Sequence, residues 1–273
     1  MTFPFRRRRF HFRAADAIAF PGPAANVLRG GFGTVLRAAD PAAFARLFAP
    51  RGTGVPSGFA DPPRPFLFRA AHLDGCRIAP GGTFHCDVHL FDLRDSTSAC
   101  VSGALEELAR LGLGPGRGRA ALDSVEDLPA PAIDLDLPEP ASALRIRFLT
   151  ATELKIGAAL APEPAFPVLF SRLRDRLSTL RALYGPGPLA IDFRALAARA
   201  AAVRMTRCAL EHVRAARHSS RTGQTHPLGG FVGEADYEGA LAEFVPYLRA
   251  GQWTGVGRQT VWGKGALEVV ILR

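Results

Sequence analysis

Residues 104–119 read ALEELARLGLGPGRGR and residues 240–265 read ALAEFVPYLRAGQWTGVGRQTVWGKG. In both, a helical run that opens on Ala-Leu leads straight into a loop of glycine and basic residues. Secondary-structure order alone does not demand such a local match, so an internal duplication is the economical explanation. Ahead of the first copy, Arg7 to Phe12 has strand character. Ala24 to Ala38 carries Val27, Leu28, Phe32, Val35 and Leu36 at helical spacing, although Gly30, Gly31 and Gly33 interrupt it. A looser stretch to Arg64 precedes strands at Phe66 to Leu73 and Thr83 to Phe91; in the latter, Phe84, Cys86, Val88 and Leu90 alternate onto one face. A helix at Ser102 to Leu111, the glycine loop and a strand near Arg119 to Val125 complete the half.

The second half repeats the order. A strand at Ala143 to Leu149 is followed by helices around Val168 to Tyr184 and Asp192 to Ala202, and by a strand-rich stretch from Val203 to Tyr237. A helix at Gly239 to Leu248, the second glycine loop and an apolar strand at Leu267 to Leu272 close the chain. Each half reads β-α-β-β-α-β, so the fold class predicted is α+β with two tandem ferredoxin-like domains. The proline-rich acidic stretch Leu128 to Pro140 (LPAPAIDLDLPEP) can neither continue a helix nor pair as a central strand. It reads as an extended linker and divides the chain into residues 1–138 and 139–273.

The formal charge is +9, carried almost wholly by arginine, since Lys155 and Lys264 are the only lysines. The arginine fork grips phosphate through two hydrogen bonds and stacks on bases, which suits a nucleic-acid partner. A GC-rich genome accounts for arginine in place of lysine but not for the excess of positive charge. Four cysteines in 273 residues, none in a C-x-x-C pair, make no disulfide framework. The run Arg6 to Arg9 is followed by His11, Arg13 and Asp16 where a signal peptide needs an apolar core, and no later stretch suits a membrane span. A cytoplasmic chain with no membrane partner is expected.

Glycines after a helix let backbone N–H groups turn outward and form an anion pocket, and flanking Arg117, Arg119, Arg258 and Lys264 add charge. A dinucleotide fingerprint requires the glycines between a strand and a following helix, the reverse of the order here. A Walker A loop requires four residues between its glycines and Ser or Thr after its lysine. Gly257 to Gly263 encloses five residues and Lys264 is followed by Gly265. The first loop reads equally well as a tight helix-to-strand turn. The second adds Gln259 and Trp262, a donor and a stacking surface.

Several motifs together carry a family resemblance. Arg217-His-Ser-Ser-Arg221, Gly229-Gly-Phe-Val-Gly233, Pro246-Tyr-Leu248 and Gly255 to Gly265 resemble the carboxy-terminal domain of the sixth numbered family of CRISPR-associated proteins, in the RAMP superfamily. Collinear matches lie upstream at Leu28 to Arg37, Phe44 to Phe48, Gly112 to Arg119 and Phe148 to Lys155. The resemblance implies two ferredoxin-like RAMP domains and CRISPR repeat RNA as partner, with other CRISPR effector subunits as further partners and a monomer or homodimer as the assembly. It also implies metal-independent cleavage, with no cofactor, in which a ribose 2'-OH attacks its neighbouring phosphate and leaves 2',3'-cyclic phosphate and 5'-OH ends.

Such a reaction needs a base near neutral pKa and cations for the crowded phosphorane. His218, between Arg217 and Arg221 and beside two hydroxyls, is the leading base, with Arg221 and Lys155 as its cationic helpers; His226 and His11 are the alternatives. Relatives with a catalytic histidine on the first helix are not matched, since Ala24 to Ala38 has none. A non-cleaving RNA-binding subunit is therefore the competing reading. Arg29, Arg37, Arg117, Arg119, Arg217, Ser219, Ser220, Gly255, Gly257, Arg258, Gln259 and Lys264 are the expected RNA contacts. No metal site is expected: His85 and His89 share a strand face but stand about 13 Å apart, and Cys86 faces the other way.

Overall fold

A computed structural model describes residues 1–50, 62–213, 216–218, 225–227 and 229–272, with backbone alone for 216–218 and 225–227. The first half contains β1 (Arg6–Ala14), β2 (Ile18–Ala19), α1 (Ala24–Ala39), α2 (Pro41–Phe48), β3 (Phe66–Arg69), β4 (Arg77–Ile78), β5 (Thr83–Leu90), α3 (Asp95–Leu111) and β6 (Ala120–Leu128). The second begins with β7 (Ala143–Thr152), β8 (Lys155–Ile156), β9 (Ala159–Leu160), α4 (Phe166–Tyr184) and α5 (Phe193–Ala201). It continues with β10 (Arg204–Val213), β11 (Ala216–His218), β12 (Thr225–Pro227), β13 (Gly230–Glu238), α6 (Val245–Thr254) and β14 (Leu267–Ile271).

The two main sheets run β3-β5-β1-β6 and β10-β13-β7-β14. In each, the first strand of the half lies between the third and the last, as the ferredoxin-like order requires. Phe10, Phe12, Phe84 and Val88 point from the first sheet into a core with Leu28 and Phe32 of α1 and Leu105 of α3. Ile146, Phe148, Phe231 and Tyr237 do the same against Leu173 of α4 and Leu248 of α6. Gly31 and Gly33 of α1 have a packing reason. A Cβ on Gly31 would come within 2.4 Å of Leu108 and one on Gly33 within 2.8 Å of the Phe48 ring, so α1 lies unusually close to α3 and α2.

Several expected boundaries move. The last helix occupies Val245–Thr254 rather than Gly239 to Leu248, because Pro246 fits only the first turn of a helix. The strand expected to reach Leu73 ends at Arg69 and gives way to a 3-10 turn at Ala71–Leu73. The helix before the first glycine loop starts at Asp95, about two turns earlier than its apolar pattern indicates. Helix α2, read as a loose stretch, begins at a sound start signal: Asp40 Oδ1 accepts from Ala43 N at 2.9 Å and Pro41 follows.

The halves are joined by more than the proline-rich segment. Ile133 and Leu135 of that segment are buried in the second core, together with Phe3, Phe5, Leu67 and Phe91 from the first half. Phe3 N donates to Ile133 O and Leu135 N to Met1 O, so the segment is extended and pinned to the amino terminus. Next to it, the last turn of α6 presents three successive carbonyls. Arg69 Nη2 donates to Gln252 O at 2.8 Å, His89 Nδ1 lies 2.9 Å from Trp253 O, and Arg176 Nε donates to Thr254 O at 3.0 Å. Since a carbonyl only accepts, His89 carries its proton on Nδ1. Burial pushes the Arg69 guanidinium down to about 10, the Arg176 guanidinium to about 9 and the His89 imidazole to about 3. Among the described residues, no helix is long and apolar enough to cross a membrane.

His89 gives a signature for acid unfolding. The unfolded imidazole takes a proton near pH 6.5 and the folded one only at about 3, so between these values the unfolded chain binds more protons and falling pH favours it. The thermal midpoint is expected to drop as pH falls below 6.5. His89→Gln, whose neutral amide keeps a donor for Trp253 O, should show a shallower acid limb in calorimetry; an unchanged limb would refute the assignment.

Candidate nucleic-acid interface

The glycine loop leaves α6 at Gly255 and returns to β14 at Gly265, and its glycines are dictated by close backbone approach. A Cβ on Gly257 would lie 2.3 Å from Glu153 O, and one on Gly265 only 1.9 Å from Val256 O, both at positive φ. Gly263, with φ of 89°, brings the loop against α1, where a Cβ would meet Ala25 Cβ at 2.7 Å. Gln259 adopts the left-handed conformation at φ 59° without being glycine.

Lys264 fastens the loop from inside. It is 4% exposed, and its Nζ donates to Glu153 Oε2 at 2.8 Å, Gly229 O at 2.6 Å and Gln259 Oε1 at 3.1 Å. All three ammonium donors are used, so the lysine expected to face RNA instead braces the loop. Burial lowers its pKa, and the Glu153 carboxylate offsets only part of that. Arg258 Nη1 stands 3.5 Å from the same carboxylate and Arg258 N donates to Glu153 O at 3.0 Å, while its side chain remains 43% exposed. Glu153 is therefore occupied by Lys264 and Arg258, not by Lys155, which lies two residues further on in β8.

On the other side of the loop, the Arg29 guanidinium lies 5.2 Å from the Trp262 ring centre and 5.2 Å from that of Phe48, a cationic plane between two aromatic faces. Arg37 lies 5.5 Å over the Phe44 ring, further along α1 and toward α2. The pair does share one side of the helix, and both guanidiniums rest on α2 aromatics.

The Gly229 bond gives the loop a third neighbour. Gly229 immediately precedes β13, at the carboxy-terminal end of the segment between β10 and β13 that contains β11 and β12. Arg217 pairs with His226 and His218 with Thr225 across those short strands. Ser219, Ser220 and Arg221 lie outside the described residues, as do the side chains of Arg217 and His218. The second glycine loop is thus tied to α1 through Gly263 and Trp262, to β7 and β8 through Glu153, and to the β11–β12 segment through Gly229.

The first glycine loop differs. Leu113 and Gly118 exchange backbone bonds, Arg117 N donates to Gly114 O, and Arg119 N donates to Asp16 Oδ2 at 3.1 Å. These amides face inward, which favours the tight helix-to-strand turn over the anion pocket, the two readings left open for Gly112 to Gly118. A Cβ on Gly114 or Gly118 would collide with the carbonyls of Ala19 and Ala17, which explains the glycines without a ligand. Arg119 is bound by Asp16 at 2.7 Å, whereas Arg117, at φ 49°, is exposed. His11, taken as an alternative base in the same cleft, is on the opposite side of its sheet from α1, because Phe10 and Phe12 alternate with it into the core.

Removing one partner of the buried Glu153–Lys264 pair strands the other charge. Lys264→Met is expected to lower the unfolding free energy by about 3–5 kcal/mol, and Glu153→Gln together with Lys264→Met by much less. Urea unfolding of both variants measures the difference; equal losses would show that the pair does not brace the loop.

Residues 146–267 match the family model of the CRISPR-associated endoribonuclease Cas6. Residues 3–135 match a model described as an N-terminal domain. No curated protein matches the chain. Among solved structures, the product complex of Cas6 (TTHB231), the Thermus thermophilus protein, is similar at a TM-score of 0.64 and 20% identity, covering 98% of this chain and 100% of that one. The product complex of Cas6 (TTHA0078) reaches 0.60 at 20% identity, with 99% and 100% covered. A Cas6-related protein from Pyrococcus furiosus reaches 0.54 at 13% identity, with 98% and 99% covered. At these identities the likeness is one of fold.

Proposed function

We propose that the chain is a member of the family of the CRISPR-associated endoribonuclease Cas6, whose model matches residues 146–267, and that it binds CRISPR repeat RNA and cuts it by metal-independent transesterification. In this reading residues 1–138 and 139–273 are two RAMP domains. RNA lies over the second glycine loop, met by Arg258, Gln259 and the backbone at Gly255 and Gly257. Arg29 and Arg37 extend the contact along α1, and Arg217, Ser219 and Ser220 add to it from the β11–β12 segment. Arg117 and Arg119 reach phosphates only from the first loop, with Arg119 leaving Asp16 to do so. Lys264 serves by holding the loop.

The observation that carries the reading is the Lys264 junction. Three hydrogen bonds from one buried ammonium link the glycine loop, the strand leading to Lys155 and the end of the segment bearing His218. A neutral His218 imidazole would take the 2'-OH proton as the 2'-oxygen bonds to phosphorus. The bond from phosphorus to the 5'-oxygen then breaks, that oxygen gains a proton, and a 2',3'-cyclic phosphate and a 5'-OH remain. Arg221 and Lys155 would carry the counter-charge for the phosphorane. Since α1 has no histidine, a non-cleaving RNA-binding subunit is the second reading.

With repeat RNA in excess chelator, the unmodified strand should be cut and a strand with 2'-deoxyribose at the cut site should bind but stay intact. Cleavage of both, or dependence on metal, would sink the chemistry; tight binding without cleavage would favour the second reading. His218→Ala should slow single-turnover cutting by about 100-fold or more at nearly unchanged affinity, and undiminished cutting would remove it as the base. Arg258→Ala should weaken binding and lower the slope of log affinity against log salt by about 1, a change that salt titration of the binding constant reads directly.

A further inference from the structure

The outer face of the first sheet, away from α1 and α3, carries three histidines in a row. His11 on β1 and His85 on β5 are direct cross-strand partners with ring centres 6.0 Å apart. His72, from the 3-10 turn after β3, stacks on His85 at 4.4 Å and 23°, and its Nε2 lies 3.0 Å from His85 O. His72 is exposed, and His11 and His85 are half-buried. The register of β1 against β6 shifts between His11 and Phe12, a bulge of the kind that re-aims a side chain.

Position and charge point to one class of ligand. β1 and β5 are the two central strands of a four-stranded sheet in ferredoxin-like order. On RNA-recognition sheets of that topology, aromatic side chains of the sheet surface stack two or three unpaired bases. The arginines beside the row are paired, Arg9 by Asp87 at 2.7 Å and Arg13 by Asp123 at 3.0 Å, and Glu126 adds a negative charge 3.4 Å from His11 Nε2. A face so neutralised offers little phosphate attraction and much ring surface. Burial, His72 and Arg9 lower the pKa of His85, which keeps its ring uncharged beside the other two.

The row also leads somewhere. Arg9 and Arg7 follow His11 on the same face at two-residue steps, about 13 Å in all. The Arg7 guanidinium lies 4.6 Å from the ring centre of Trp253, on the helix from which the second glycine loop departs.

We propose that His11, His85 and His72 form a second RNA-contact site, a stacking platform for two or three unpaired nucleotides flanking the strand held at the glycine loop. The proposal rests on RNA being the ligand of this chain, as argued above. Because stacking rather than ion pairing carries the contact, binding there should tolerate any sequence and depend only weakly on salt.

Fluorescence anisotropy on the full chain tests this with two probes, a short single-stranded oligoadenylate and repeat RNA trimmed of its flanks. The double variant His11→Ala and His85→Ala should weaken oligoadenylate binding by about tenfold or more and leave trimmed repeat unchanged. The double variant His11→Phe and His85→Phe, which keeps the ring faces, should retain oligoadenylate binding within about threefold of the parent. Unchanged oligoadenylate affinity in the alanine pair, or equal loss in both pairs, would overturn the proposal. If the parent chain binds trimmed repeat but not oligoadenylate, this inference alone fails; if it binds neither, the RNA-processing reading fails with it.

Discussion

The end of α6 is where the two halves of the molecule meet, and its free carbonyls make that meeting specific. A helix leaves its last carbonyls without intrahelical donors and gathers partial negative charge there. Gln252, Trp253 and Thr254 obtain their donors from β3, β5 and α4, two of them guanidinium groups. Hydrogen bonds from charged donors are worth about 1.5–3 kcal/mol each. Without them, α6 would bury unsatisfied carbonyls. The glycine loop starts one residue later, so the first domain, by supplying two of the three caps on this helix, bears on the direction in which the second domain offers its loop.

That dependence explains why two loops of similar sequence have different surroundings. The first turns back on itself and lies against Ala17 and Ala19 within its own half. The second lies across the boundary, with Gly263 on α1 and Trp262 facing Arg29. Each loop leads from a helix into the last strand of its half. Only the copy at the domain boundary is fastened by a buried lysine, which ties the loop to Glu153 and to Gly229.

Arginine has a similar double meaning. Its abundance reads as affinity for nucleic acid, yet many of its forks are engaged within the protein. Arg6 meets Asp95, Arg8 meets Asp127, Arg145 meets Asp236 and Arg249 meets Glu139. Arg69 and Arg176 cap a helix. Arg258, held at its backbone and 43% exposed at its side chain, is better placed for a phosphate than these.

The order of strands and helices was legible in the sequence because local periodicity fixes it: Phe10 and Phe12 alternate, and Leu28, Phe32 and Val35 recur at helical spacing, whatever the rest of the chain does. The motif Gly255 to Gly265 was legible for the same reason, since positive φ and close backbone approach select glycine position by position. The role of Lys264 was not, because its carboxylate partner lies 111 residues away. Nor was the cap on α6, whose donors are 183, 164 and 78 residues from their acceptors. The row of His11, His85 and His72 likewise required the register of β1 against β5. Sequence by itself determined what each segment prefers to be. Tertiary structure decided which charged groups are used up inside the protein and which stay outside, because desolvation and pairing depend on neighbours that only the folded chain brings together.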